Sequence, residues 1–342
     1  MTTFDPDAAA QPGSGIYGLP SNEDGSTAVI LPVPFDATTS YRRGAADGPA
    51  MVFEASKQVD LFDRETGRPY RRGIFYREPA PELDAWNEAA RAAADPIIEA
   101  GGDLPEGDPM SAQLALVNDI SCRVNEHVYE ATRELLARGK LVGVLGGDHS
   151  VPFGAIRAFA ERFPGLGILH IDAHADLRDA FEGFTFSHAS IMHNVMTRID
   201  GVGRLVQVGI RDFGERELDF IEASRGRIRT HFDVDMAQAR FAGATFQQLA
   251  AKVVEDLPSQ VYVSFDIDGL DPAFCPGTGT PVPGGLHFHE ASYLLGEVAR
   301  SGRKIVGFDL NEVAPGPDRN EWNGIVGARM LYKMIGWALS TF

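Results

Sequence analysis

Three short stretches of the chain combine the residue types that chelate divalent cations. They read Gly146-Gly147-Asp148-His149-Ser150, Asp172-Ala173-His174-Ala175-Asp176 and Asp266-Ile267-Asp268, the last running on into Gly269-Leu270-Asp271-Pro272. In extended backbone, alternate residues share a side. Asp172, His174 and Asp176 should therefore converge, as should Asp266 and Asp268. His149 follows a Gly-Gly pair, which lets a chain turn without a Cβ penalty. Together these stretches offer four carboxylates and two imidazoles: Asp172, Asp176, Asp266, Asp268, His149 and His174. Carboxylates held so close repel one another unless cations neutralise them. Oxygen and nitrogen donors without a thiolate suit Mn2+ or Ni2+ better than a structural zinc. Two such ions roughly 3.5 Å apart activate water for hydrolysis. A lone Asp-x-Asp ordinarily caps a turn, and a lone His in such a loop ordinarily packs, but three clusters in one chain point to a metal centre. Asp148 and Asp271 read as turn or cap residues. Cys275 reads as a small buried filler, because no His or Asp is arranged to activate its thiol.

The elements that must position these clusters are strands. Nearly continuous Val, Ile and Leu runs at 27–33, 141–145, 166–171, 204–210, 227–232, 260–265 and 304–310 read as strands buried on both faces. Helical stretches alternate with them near 48–61, 112–138, 151–163, 187–200, 215–224, 245–256, 288–301 and 321–339. That alternation predicts an α/β protein with a parallel sheet and right-handed crossovers. Each metal-type cluster then falls just beyond the carboxyl end of a strand, where such sheets collect ligands. The Gly, Pro, Ser and Asp of residues 1–26 predict a flexible amino-terminal arm. Residues 27–342 read as one domain, with a helical insertion at about 63–120 that is poor in strand signals.

Composition narrows the function classes. With 31 basic and 48 acidic residues in 342, the formal charge is −17. Such a surface repels phosphate backbones, so nucleic acid is excluded as a partner. No apolar run reaches the ~20 residues that a membrane span needs. The amino terminus lacks the basic and apolar regions of an export signal. Two cysteines are too few for a disulfide framework and fit a reducing cytoplasm.

The motifs GGDHS, DAHADLRD, SFDIDGLDPAFCPGTGTPVPGG and GFDLNEVAP, in this order and spacing, resemble the ureohydrolase family of arginases, agmatinases and formimidoylglutamases. The segment LPVPFDATTSYRRGAADGPAMVFEAS is similar to the corresponding agmatinase segment, and the resemblance runs from about Thr27 to the carboxyl end. It implies a three-layer arginase-like fold with an eight-stranded parallel sheet and a pair of ions, manganese or nickel. It also implies that His149, Asp172, Asp176 and Asp266 hold one ion and His174, Asp172, Asp266 and Asp268 the other, with Asp172 and Asp266 shared. Glu312, in NEVAP, matches the glutamate that pairs with a guanidinium group, and His188, in FSHAS, the histidine that shuttles a proton at the site mouth. Asp176 would accept the proton released by the attacking water. The implied reaction is hydrolysis of a guanidino C–N bond, giving urea with ammonia or an amine.

Substrate choice rests on smaller cues. LRDAFEGFTF stands where arginases carry an Asn/Ser-rich stretch, which disfavours arginine. DLRD and EG-x-x-x-SHAS occur in agmatinase-like members and keep agmatine open. The insertion and the ending EWNGIVGARMLYKMIGW are similar to the branch that hydrolyses free guanidine, which favours a small guanidine compound or a biguanide. Phe181, Phe184, Phe186 and Trp322 would supply aromatic walls for a planar cation, with Trp322 a substrate contact. An inactive partner subunit of a hetero-oligomeric hydrolase is the alternative of another class, but such a chain usually lacks one or more ligands and this one keeps six. The family's trimers and hexamers imply a homo-oligomer.

Overall fold

The computed structural model describes residues 4–102, 104–105, 107–316, 318–319 and 321–342. The strands are β1 (Ala28–Val33), β2 (Ile74–Tyr76), β3 (Leu141–Gly146), β4 (Leu166–Ile171), β5 (Val202–Ile210), β6 (Ile228–Phe232), β7 (Gln260–Asp266) and β8 (Lys304–Asn311). They form one eight-stranded sheet in the order β2-β1-β3-β8-β7-β4-β5-β6, and every pairing is parallel. The helices are α1 (Gly48–Ser56), α2 (Pro81–Glu99), α3 (Ser111–Ala137), α4 (Phe153–Arg162), α5 (Ile191–Arg198), α6 (Glu215–Ala223), α7 (Asp233–Phe241), α8 (Phe246–Asp256), α9 (Phe288–Arg300) and α10 (Trp322–Thr341).

Side-chain alternation along the strands builds two separate cores. Ala28, Ile30, Leu169, Ile171, Val261 and Val263 face a layer that includes Leu249 of α8, Leu294 of α9 and Leu331 of α10. Val29, Leu31, Leu166, Ile168 and Tyr262 face the other layer, with Leu135 of α3, Ile156 of α4 and Val195 of α5. Sheet strands covered on both faces lose the polar alternation of half-exposed strands, which is why the apolar runs were readable.

Three elements depart from the sequence reading. β2 lies inside the expected helical insertion: it is a three-residue edge strand, pairing Ala28 with Ile74, too short to leave a periodic signal. α7 buries only Met236, so its apolar face is nearly absent. The expected amino-terminal arm is not loose throughout, because Ile16, Tyr17 and Leu19 belong to the core. The Tyr17 hydroxyl donates to Ala328 O at 3.0 Å, and its amide donates to Ser56 Oγ at 2.9 Å. The arm expectation for residues 1–3, and the insertion at 103 and 106, lie outside the described residues. No helix among the described residues is long and apolar enough to cross a membrane.

Candidate metal centre

Strands β3, β4, β7 and β8 end side by side, and the site sits on their carboxyl ends. The chain after β3 runs through Gly147, whose N–H donates to Val33 O, and Asp148, whose N–H donates to Phe35 O. The two glycines serve close approach rather than a change of hand, since neither has a positive φ. A Cβ at Gly147 would lie 1.9 Å from Phe35 O, and one at Gly146 would lie 2.0 Å from Asn311 Oδ1. This packing carries His149 to the centre of the cluster. Its Nδ1 lies 3.0 Å from Asp172, 3.3 Å from Asp176 and 3.3 Å from Asp266.

The segment after β4 divides between two subsites. Asp176 reaches back to His149 by adopting a left-handed backbone, φ 54. Its carbonyl accepts from the N–H groups of Met192 and His193, which hold that strained turn in place. His174 turns the other way, with Nδ1 3.1 Å from Asp268 Oδ2 and 3.5 Å from Asp172 Oδ1. Asp172 therefore faces both subsites. It is common to two groups whose donor atoms can gather around an ion: His149, His170, Asp172 and Asp176, and Asp172, His174 and Asp268. The chain thus contains a binuclear metal-binding cluster of His and Asp. Asp266 stands on the His149 side, its Oδ1 accepting from Asp268 N at 2.8 Å, and Asp268 Oδ1 accepts from Ala173 N at 3.0 Å.

The charges of this cluster call for cations. Burial, and then the Asp172 charge, push Asp176 up to about 7. Burial, and then Asp268 and Asp172, raise Asp266 well above the ordinary carboxylate range. Burial works against a charged His149, but its hydrogen bonds to Asp172, Asp176 and Asp266 outweigh it and raise the imidazole well above its usual value. Protons are held where nothing else neutralises the carboxylates, which fits a site built for divalent ions.

Glu312 follows β8 in a left-handed conformation, φ 61, and its Oε1 accepts from His149 N at 2.9 Å. It is 7% exposed, and burial, followed by the Asp148 charge, raises it well above its ordinary value. No Lys or Arg pairs with it among the described residues. Gly279 lies next to Oε2, since a Cβ there would be 3.5 Å from that oxygen, in ordinary contact. His188 opens a short turn before α5, with Nδ1 3.4 Å from Ser187 Oγ and 3.5 Å from Thr38 Oγ1. Burial, and then His174 and His149, push His188 down to about 4. The cavity holds about 170 Å3 and is lined by His149, His174, Asp176, His188, Asp266, Asp268 and Glu312, with Phe181, Arg178, Asp212 and Glu217 toward its rim.

Among the aromatic candidates only Phe181 lines this cavity. Phe184 is fully buried among Ala93, Ala94, Ile97 and Val117 of the insertion helices. Phe186 packs on Phe153, with ring centroids 5.1 Å apart. Trp322 starts α10, outside the residues that line the cavity, and its indole N–H donates to Ala273 O at 3.0 Å. Asp148 is a buried acceptor for Ser150 N and Thr38 Oγ1, and Asp271 accepts from Ala273 N in a turn. The sequence reading missed His170, Gln207, Ser264 and Asp309, all fully buried beneath the cluster. Their signal was available as polar residues inside otherwise apolar strands, in GILHI, LVQV, VYVSF and GFDL.

Residues 26–336 match the arginase family. The chain belongs to that family. It is 32% identical to an N(1)-aminopropylagmatine ureohydrolase of Thermus thermophilus over 308 residues, covering 90% of this chain and 89% of the relative. It is also 32% identical to an agmatinase of Bacillus anthracis, covering 94% of this chain and 95% of the relative. The solved structure of proclavaminate amidino hydrolase from Streptomyces clavuligerus superposes with a TM-score of 0.73 at 25% identity, covering 98% of this chain and 100% of that one. The arginase-family fold accounts for the three layers and for the cluster at the ends of β3, β4, β7 and β8. This family member is a metal-dependent ureohydrolase that cleaves a guanidino C–N bond.

Proposed function

We propose that the chain hydrolyses a small guanidine compound, free guanidine or a biguanide, to urea and ammonia or an amine. The observation that carries this reading is Glu312: a buried carboxylate with no Lys or Arg paired to it among the described residues, one oxygen anchored on His149 N, in the lining of the cavity. A carboxylate left so is costly unless a cation arrives. A planar guanidinium answers it with two parallel N–H donors. The cavity of about 170 Å3 lies below the ~300–1,000 Å3 of pockets for drug-sized ligands, which favours a compact head group.

His149, Asp172, Asp176 and Asp266 would hold one ion and His174, Asp172, Asp266 and Asp268 the other, Mn2+ or Ni2+. When bound, such ions would lower the pKa of water and so supply a strong nucleophile near neutral pH. The side chains then orient substrate and move protons. Glu312 holds the guanidinium in one plane over the cluster. Asp176 would accept the proton released as water adds to carbon. His188 is neutral at pH 7 and carries that proton to the departing nitrogen. Water and guanidinium are consumed; urea and an ammonium ion leave.

Agmatine is the second reading, supported by the agmatinase of Bacillus anthracis at 32% identity and by Asp212 in the cavity lining, which would attract a distal ammonium. Urea release from guanidine, a biguanide, agmatine, arginine and guanidino acids, with Mn2+ and Ni2+ loading compared, tests both. A kcat/KM for agmatine well above that for guanidine would overturn the first reading. We further read the protein as a cytoplasmic homo-oligomer, a trimer or hexamer. Its free thiols, Cys122 and Cys275, support the compartment, and light scattering tests the assembly.

A further inference from the structure

A row of polar side chains crosses the apolar sheet directly beneath the cluster. In register, Thr230 of β6 stands beside Gln207 of β5 and Gln207 beside His170 of β4. The row continues from His170 to Ser264 of β7, and from Ser264 to Asp309 of β8. Four of the five are fully buried. Five polar residues in one layer of a sheet core are costly unless each is satisfied and serves a purpose.

The hydrogen bonds along the row have only one consistent direction. Ala175 O can only accept, so the Gln207 group 2.7 Å away is its amide nitrogen. The same nitrogen lies 3.0 Å from His170 Nδ1, while Thr230 Oγ1 donates to Gln207 Oε1 at 2.9 Å. A donor facing Nδ1 requires a lone pair there. The proton of a neutral His170 is therefore on Nε2, which lies 2.8 Å from Asp172 Oδ2. On the other side of the row, Ser264 donates to Asp309 at 2.9 Å and its Oγ lies 2.9 Å from His149 Nε2. A neutral His149 therefore has its lone pair on Nδ1, on the side of the carboxylates where an ion would sit.

We propose that His170, locked in one tautomer by Gln207, is a positioning residue that aims the shared carboxylate of Asp172 at both ions. The inference rests on the metal-centre reading and not on the identity of the substrate. His170 belongs to the group around His149, but in this tautomer its Nε2 proton points at Asp172 Oδ2 and its Nδ1 lone pair accepts from Gln207, so neither nitrogen offers a free lone pair to an ion. Anchoring Asp172 from behind leaves its Oδ1 toward His174 and the free lone pairs of Oδ2 toward His149. Both subsites therefore depend on one hydrogen bond.

The test measures Mn2+ binding to the full chain by competition with a chromophoric chelator, with ions per chain counted by elemental analysis. His170→Phe keeps a ring and removes the donor, and should weaken both ions together by ~10–100-fold, the usual range for such outer partners. His170→Gln, which restores an amide donor near the Nε2 position, should recover most of that affinity. Gln207→Glu turns an acceptor toward Nδ1, reverses the preferred tautomer and should weaken both ions comparably. Thr230→Val perturbs the row mildly and keeps the question answerable if the phenylalanine variant does not fold; a loss of a few-fold at both sites is expected. Both ions binding within twofold of wild type in all folded variants would overturn the proposal. So would complete loss of one ion from His170→Phe with the other unchanged, because that marks a direct ligand. Wild-type protein that takes up no Mn2+ or Ni2+ would instead defeat the metal-centre reading itself.

Discussion

The floor and the rim of the cavity are built in different ways. The floor consists of strand ends, with each carboxylate or imidazole lying between the last residue of β3, β4, β7 or β8 and five residues beyond it, and the sheet sets their spacing. Part of the rim consists of two loops that the sheet does not hold. The loop at 36–46 is tied down by Asp36, whose Oδ2 accepts from Gly44 N and Ala46 N. Asn87 and Arg91 of α2 grip the same carboxylate. The loop at 181–186 is tied to α3 through Asn118, which accepts from Thr185 N at 2.8 Å and donates to Gly183 O. Phe184 then plugs into the core between α2 and α3. The insertion at 63–120 therefore works as a brace behind two rim loops, one carrying Thr38 and Ser40, the other carrying Phe181 and leading to His188. A floor set by the sheet should govern ions, and a braced rim should govern substrate.

Mutation can break or sharpen that division. The largest effect is expected at the floor: Asp172→Ala should abolish urea release and take the metal count from two to none, whereas His174→Ala should mainly weaken one ion. Two tightly held ions in Asp172→Ala protein would show that this carboxylate is not shared. Glu312→Gln removes the charge that faces the guanidinium. It should lower kcat/KM by about 10–100-fold, the worth of a charge-assisted hydrogen bond, with ion content unchanged and melting temperature equal or higher. A drop in bound metal would place Glu312 among the ligands instead.

At the rim, Asn87→Leu or Asn118→Ala should raise KM about 10-fold while both ions stay bound. Loss of metal without a change in KM would erase the distinction between floor and rim. A pH test addresses the floor alone. In the ion-free native protein Asp176 keeps its proton up to about pH 7, against 3.8 as the ordinary value. A raised carboxyl pKa means stability is lost as pH rises through that window. Ions replace the proton, so the gain in melting temperature on adding Mn2+ should widen between pH 5 and 8. A gain that is flat or shrinking over that range would contradict the charge reading. The smallest effect is expected at Trp322. Because its indole N–H is spent on Ala273 O and the ring lies outside the cavity lining, Trp322→Ala should change guanidine turnover by less than about twofold.

The legibility of the two regions differs for the same structural reason. His149, Asp172, His174, Asp176, Asp266 and Asp268 sit in short motifs next to apolar strand runs, so residue type and spacing placed them together before any coordinates. Glu312 and His188 became visible through family motifs, not through spacing. Trp322 and Phe184 misled: the Phe184 ring fills an apolar gap between α2 and α3, and Trp322 stays exposed with its indole N–H on Ala273 O. The brace on Asp36 joins residues more than fifty positions apart, and nothing local announces it.

The amino-acid sequence by itself determined the parallel α/β architecture, the six metal-type side chains and the chemistry they can support. These depend on local periodicity and on residues a few positions from a strand end. Only the tertiary structure decided that Asp172 faces both subsites and that α2 and α3 brace the rim. It also decided that Thr230, Gln207, His170, Ser264 and Asp309 lie in one row. Such facts depend on strand order and register, and the order β2-β1-β3-β8-β7-β4-β5-β6 brings together side chains that the chain itself keeps far apart.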